Sequence, residues 1–208
     1  MSENASTLAA APGALPLARG FSDPIFDAQA VFRVALDAMA YAGRPYRTPT
    51  GIEAPRPLDA ATASLCLTLF DFETPVWLDA AGSTEAVRSF LKFHAGVPIA
   101  SKLEAAAFAV ICDPASMPAL DAFAIGEDRY PDRSATLIVQ VPSLNEGPVT
   151  RWSGPGVDGS IECRIAGLSD RFWAEWDLNH GLYPLGVDVL FTCGDGLVGL
   201  PRGVKVEV

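Results

Sequence analysis

Hydrophobic positions recur along the chain with two different periods, and the switches between them mark its elements. Ser22-Asp23-Pro24 places cap residues ahead of a proline suited to a first helical turn. Ile25, Phe26, Gln29, Phe32, Leu36 and Met39 follow at spacings of three and four. That spacing predicts a helix with these residues on its core face, running to Ala42 and ended by Gly43. The proline-rich stretch 44–57 reads as an extended loop, and residues 58–69, apolar all round, as a buried helix. Asp71-Phe72-Glu73-Thr74-Pro75 turns into a short strand at Val76-Trp77-Leu78. Ser83 then caps a helix to Ala95, with Glu85 in its first turn, Lys92 and His94 in its last, and Gly96 beyond it.

Strand patterns dominate the second half of the chain. Residues 107–112 form a continuous apolar run and 135–141 a β-branched one, both suited to the middle of a sheet. A short helix is expected between Pro118 and Ile125. Residues 149–152 and 160–165 flank a glycine-rich loop and predict a hairpin. Ser169 starts a helix over 170–179 carrying Phe172, Trp173 and Trp176, an aromatic stripe that reads as core first and as a partner interface second. Residues 187–192 and 204–208 read as terminal strands. Interleaved helices and strands, with several strands joined by short loops, predict an α/β single domain with a mixed β-sheet flanked by helices.

Gly194-Asp195-Gly196-Leu197-Val198-Gly199 has the glycine spacing of a dinucleotide loop, which needs a helix growing from the last glycine. Leu200-Pro201-Arg202-Gly203 cannot start one, so the glycines read as a turn between two strands. Asp188 sits inside an apolar strand and must find a partner; Arg202, across the expected hairpin, is the candidate.

Composition narrows the chemistry. Half of the 208 residues are hydrophobic and 19% are charged, enough for a sizeable core. A net charge of −10 disfavours nucleic-acid binding. No apolar run reaches the roughly 18 residues of a membrane span, so no membrane association is expected. Residues 1–19, rich in alanine and proline, read as a disordered tail and not an export signal, with 20–208 as the domain and the cytoplasm as its location. Cys66, Cys112, Cys163 and Cys193 lie apart in apolar runs and predict buried free thiols and no metal site. His94 and His180 fall at helix ends, where they complement the dipole. Lys92, Lys102 and Lys205, the only lysines, lack a phosphate loop and predict no pyridoxal phosphate or other cofactor. Taken alone, the residues assemble no catalytic set.

Several motifs, taken in order, resemble those of the PhnH subunits of the bacterial carbon–phosphorus lyase machinery. They include Asp27-Ala28-Gln29, Phe32-Arg33 and the Asp71-x-x-Thr74-Pro75-Val76-Trp77-Leu78 stretch. They continue with Phe93-His94, residues 135–144, Pro184-Leu185-Gly186-Val187-Asp188 and Leu200-Pro201-Arg202. Departures are confined to the segment before Gly43, which lacks a proline, and to Gly203-Val204 where a threonine pair is expected. The resemblance implies a fold similar to the pyridoxal-phosphate-dependent transferases without the cofactor site. It implies a subunit that joins PhnG, PhnI and PhnJ in a core complex and is a homodimer when isolated. That complex forms a ribose 1-phosphonate 5-triphosphate from ATP and an alkylphosphonate, displacing adenine. The family has no motif of catalytic residues to transfer, so Asp71, Pro75, Trp77, His94, Pro184, Gly186, Asp188, Pro201 and Arg202 are expected to be structural or interface residues, without independent activity. The competing expectations are a stand-alone pyridoxal-phosphate-type transferase and a nucleotide-binding module built on the C-terminal glycines.

Overall fold

A computed structural model describes residues 17–49 and 51–208. The expected tail lies outside the described residues as far as residue 16; the carbonyl of Ala18, within it, lies 3.0 Å from His94 Nε2.

Four parallel strands, β2 (Val76–Leu78), β3 (Phe108–Ile111), β6 (Thr136–Gln140) and β9 (Asp188–Cys193), make the middle of a mixed six-stranded sheet. Their first residues line up, Val76 beside Phe108, Thr136 and Asp188. Each alternates its side chains between two apolar faces, which is why 107–112 and 135–141 read as unbroken apolar runs. The chain reverses at Gly194 (φ 60°) into β10 (Gly196–Leu200), antiparallel to β9, and β1 (Tyr46–Arg47) closes that edge. The turn at Gly194 and Asp195 is therefore a hairpin, as the missing helix implied. Gly196 and Gly199, however, lie within β10, a strand the sequence did not announce, and the expected terminal strand pairs in a separate sheet.

One face is covered by α1 (Pro24–Ala40), α2 (Ala60–Leu69) and α3 (Glu85–Ala95). Asp23 caps α1 by accepting from the N–H groups of Ile25 and Phe26, and α3 is capped by Thr84, one residue later than expected. The other face carries α4 (Asp170–Gly181) and a small sheet of β7 (Val149–Ser153), β8 (Ile161–Arg164) and β11 (Lys205–Glu207). Phe172, Trp173 and Trp176 are all buried there against Trp152 and Phe191, so the aromatic stripe is core. Between β3 and β6 lie two 3-10 turns, Pro114–Ser116 and, in place of the expected helix, Leu120–Ala122, and a hairpin of β4 (Ile125–Glu127) and β5 (Tyr130–Ser134) that the sequence did not announce.

Helix α1 corrects the largest expectation. Ile25 is 77% exposed, Phe26 68% and Leu36 53%, while Val31, Ala35 and Ala38 face the sheet. The small face wins because α1 lies backbone to backbone on β10: a Cβ added at Gly199 would stand 2.3 Å from the Ala38 carbonyl oxygen. Bulky side chains cannot enter so close a contact; alanines can.

Candidate functional site

The motif residues gather at the amino edge of the parallel strands. Asp188, at the start of β9, accepts from the Arg202 backbone N–H (2.8 Å) and forms a bidentate pair with its guanidinium through Nε and Nη2. Arg202 also donates to the carbonyls of Pro131 (3.1 Å) and Pro184 (3.4 Å) and to the Ser134 hydroxyl. Its own carbonyl lies 3.1 Å from His180 Nδ1. One arginine thus ties β5, the α4–β9 connection and the segment after β10 together. Gly186 (φ 108°) and Pro201 complete this knot: a Cβ at Gly186 would stand 2.7 Å from Asn179 Oδ1, which itself accepts from the Val187 N–H. The inferred Asp188–Arg202 pair is present, with both side chains mostly buried and saturated.

Asp71 and Pro75 lie on the same edge, three strands away. Asp71 Oδ1 accepts from the Thr74 hydroxyl (2.6 Å) and the Glu73 N–H (2.9 Å). The Thr74 bond, then the Glu73 one, holds the exposed Asp71 carboxyl below the ordinary carboxylate range. The Pro75 carbonyl accepts from Ala107 and Phe108, starting the β2–β3 pairing, and Trp77 packs edge-on against Phe123. His94 stands apart at the end of α3, its ring against Phe90 and Phe93. Asp71, Pro75, Asp188 and Arg202 thus lie where parallel strands begin, while Trp77 lies within β2 and His94 lines a separate cavity.

In open α/β sheets ligands sit outside the carboxyl ends of the strands. A crevice of about 450 Å³ lies there, lined by Asp59, Cys112, Asp113, Gln140 and Cys193 among others. Beneath it Gln140 Oε1 accepts from the Asp59 N–H (2.7 Å) and the Thr62 hydroxyl (3.0 Å), and its Nε2 donates to the Pro57 carbonyl (2.9 Å). Thr62 and Thr192 hydroxyls meet at 2.7 Å, and Asp59 Oδ2 accepts from the Gly194 N–H. Buried Asp79 accepts three backbone N–H groups, from Gly82, Cys112 and Asp113. The sequence reading missed Gln140, Asp59 and Asp79. A glutamine inside an apolar strand was the available signal for the first.

This crevice suits neither nucleophilic catalysis nor a polyphosphate. Burial, reinforced by Asp79 and Asp59, pushes the Cys112 thiol up to about 12, and burial also raises Cys193, so neither is a thiolate near neutrality. Both are half-exposed, unlike the fully buried Cys66. The crevice is lined by two carboxylates and no lysine or arginine. A second cavity of about 500 Å³ includes Arg47, but Asp195 holds that guanidinium at 2.7 and 2.8 Å. A third, of about 490 Å³, sets Arg19 and His94 against Asp27 and Glu53. Lys92, Lys102 and Lys205 are exposed, two of them beside glutamates. Among the described residues no group of three His, Cys, Asp or Glu could hold a metal, and no helix is long and apolar enough to cross a membrane.

The chain is 37% identical over 187 residues to the alpha-D-ribose 1-methylphosphonate 5-triphosphate synthase subunit PhnH of Rhizobium meliloti, covering 90% of this chain and 94% of that protein. It is 27% identical over 183 residues to the putative C-P lyase subunit protein HtxG of Stutzerimonas stutzeri, covering 86% of each. The model of the bacterial phosphonate metabolism protein family PhnH matches residues 19–207, and the chain belongs to that family.

Proposed function

We propose that this chain is a subunit of the carbon–phosphorus lyase core complex, supporting formation of a ribose 1-phosphonate 5-triphosphate from ATP and an alkylphosphonate. The observation that carries the reading is the near full-length match to a protein named as a subunit of such a synthase. The partners are PhnG, PhnI and PhnJ, and the compartment is the cytoplasm. Residues 20–208 form the working domain, and its mixed sheet between two layers suits a transferase-like fold without a cofactor site. The nine motif residues act as structural clasps behind the interfaces.

In the isolated protein the exposed ridge of α1 packs against a second copy. Ile25, Gln29, Phe32, Leu36 and Ala40 are spaced evenly about the helix midpoint, so an antiparallel two-fold pairing sets the large Ile25 against the small Ala40. One arginine (Arg33) and one aspartate (Asp37) flank the ridge, leaving it near neutral. Co-expression of the chain with tagged PhnG, PhnI and PhnJ tests the subunit reading. Stoichiometric co-purification supports it, and recovery of the three partners without this chain contradicts it.

A further inference from the structure

We propose that the concave apolar face between α4 and the Leu120–Ala122 turn docks one kind of partner: a segment of another subunit presenting a single aliphatic side chain beside lysine or arginine. The inference rests on the subunit reading above and adds which face is used and what chemistry covers it. A cavity of about 220 Å³ opens there, lined chiefly by Leu120, Ile125, Leu178 and Leu182 with Asp121 and Glu175. Its size decides the class of occupant. Small-molecule sites run to roughly 300–1,000 Å³, so this one suits an anchoring side chain better than a nucleotide or cofactor. Leu178 stands 71% exposed at its lip, and Leu182 one turn on is also exposed. Exposed leucines rimmed by carboxylates are the kind of apolar patch that marks an interaction site.

The floor is preorganised. Asn179 exchanges two hydrogen bonds with Val187 (Nδ2 to O, 3.0 Å; N–H to Oδ1, 2.8 Å), fixing the end of α4 to the sheet. Glu175 accepts from the Leu120 N–H at 3.0 Å, clamping the opposite wall to the helix. A site whose walls are already held loses little entropy on binding.

Charge selects the partner. Two carboxylates and no lysine or arginine line the cavity, and exposed Asp177 precedes Leu178. Arg171, one turn earlier, is committed to Glu175 (3.2 Å) and to the Met117 carbonyl (2.6 Å). Two copies meeting here would bring two carboxylate-lined faces together, which disfavours a second copy. A basic rim on a different protein is attracted instead, mainly through the association rate.

The test uses the co-expressed complex with the full-length chain. Leu178→Asp alters an exposed side chain, and an unchanged melting temperature verifies its fold; Asp121→Lys is a second variant that leaves the apolar walls intact. We expect Leu178→Asp to weaken association with the other subunits at least about tenfold. Asp121→Lys should weaken it severalfold at low salt and less at high salt. If the wild-type chain assembles and both variants assemble equally well, the docking site is overturned while the subunit reading stands. If the variants instead lose only self-association, the occupant is a second copy and the proposal fails. If the wild-type chain does not assemble at all, both fail together.

Discussion

Helices α1 and α4 carry the same sequence signal and treat it in opposite ways. Each has large apolar residues at spacings of three and four, yet α4 buries Phe172, Trp173 and Trp176 while α1 leaves Ile25, Phe26, Phe32 and Leu36 outside. The difference lies in what each helix rests on. Helix α4 stands off the sheet by the thickness of an aromatic layer shared with Trp152 and Phe191. Helix α1 lies directly on β10, where Gly199 has no side chain and Ala35 and Ala38 none beyond Cβ. A helix with two apolar faces must choose one, and the closer approach takes the smaller residues. That leaves the larger face exposed, where the proposed pairing with a second copy would use it.

The largest effect that would break this contrast is Trp176→Ala. Trp176 is fully buried and donates through Nε1 to the Val204 carbonyl, so its loss should cost about 3–5 kcal/mol in denaturant unfolding of the isolated chain. Arg202→Ala, which strands the mostly buried Asp188, is expected near the same size, about 3–5 kcal/mol, by the same measurement. Gly199→Ala comes next: the new methyl meets the α1 backbone, and about 1–3 kcal/mol of destabilisation should appear with α1 displaced. Leu36→Asp, on the outer face, should change the stability of the monomer by no more than about 0.5 kcal/mol and shift the proposed dimer to monomer in sedimentation. A large stability loss for Leu36→Asp would place that residue in the core and erase the contrast.

The smallest effect is a pH dependence at Asp71. Its folded carboxyl lies below its unfolded value, so its contribution is complete above the ordinary carboxylate range and vanishes as pH falls through the folded value. Asp71→Asn should therefore slightly flatten the acid limb of the stability profile, with its small loss present at neutral pH and gone below the folded value. A steeper acid limb in the variant would reverse the sign.

Elements with one apolar period were readable in the sequence. The four parallel strands and the hairpin of β7 and β8 follow from their runs and bounding glycines, and the Gly194 turn from the proline that blocks a helix after it. The Asp188–Arg202 pair was legible because an acid in an apolar strand needs a partner and only a short hairpin separates the two. The β4–β5 hairpin was not, since Tyr130-Pro131-Asp132-Arg133-Ser134 has a strand's path without a strand's composition. The outward face of α1 was hidden for a different reason. Periodicity shows that residues share a face; it does not show which face meets the sheet, and the deciding residue, Gly199, lies some 160 positions away. The Gln140 clasp was equally hard to foresee, as its partners Pro57, Asp59 and Thr62 belong to a different element.

The central claim, that this chain works as part of a phosphonate-processing complex, is met most directly by measuring adenine released from ATP in the presence of methylphosphonate. PhnG, PhnI and PhnJ are assembled with and without the chain. The account predicts phosphonate-dependent adenine release with the chain present and its loss when the chain is omitted, restored on adding it back. Equal release in its absence would contradict the account.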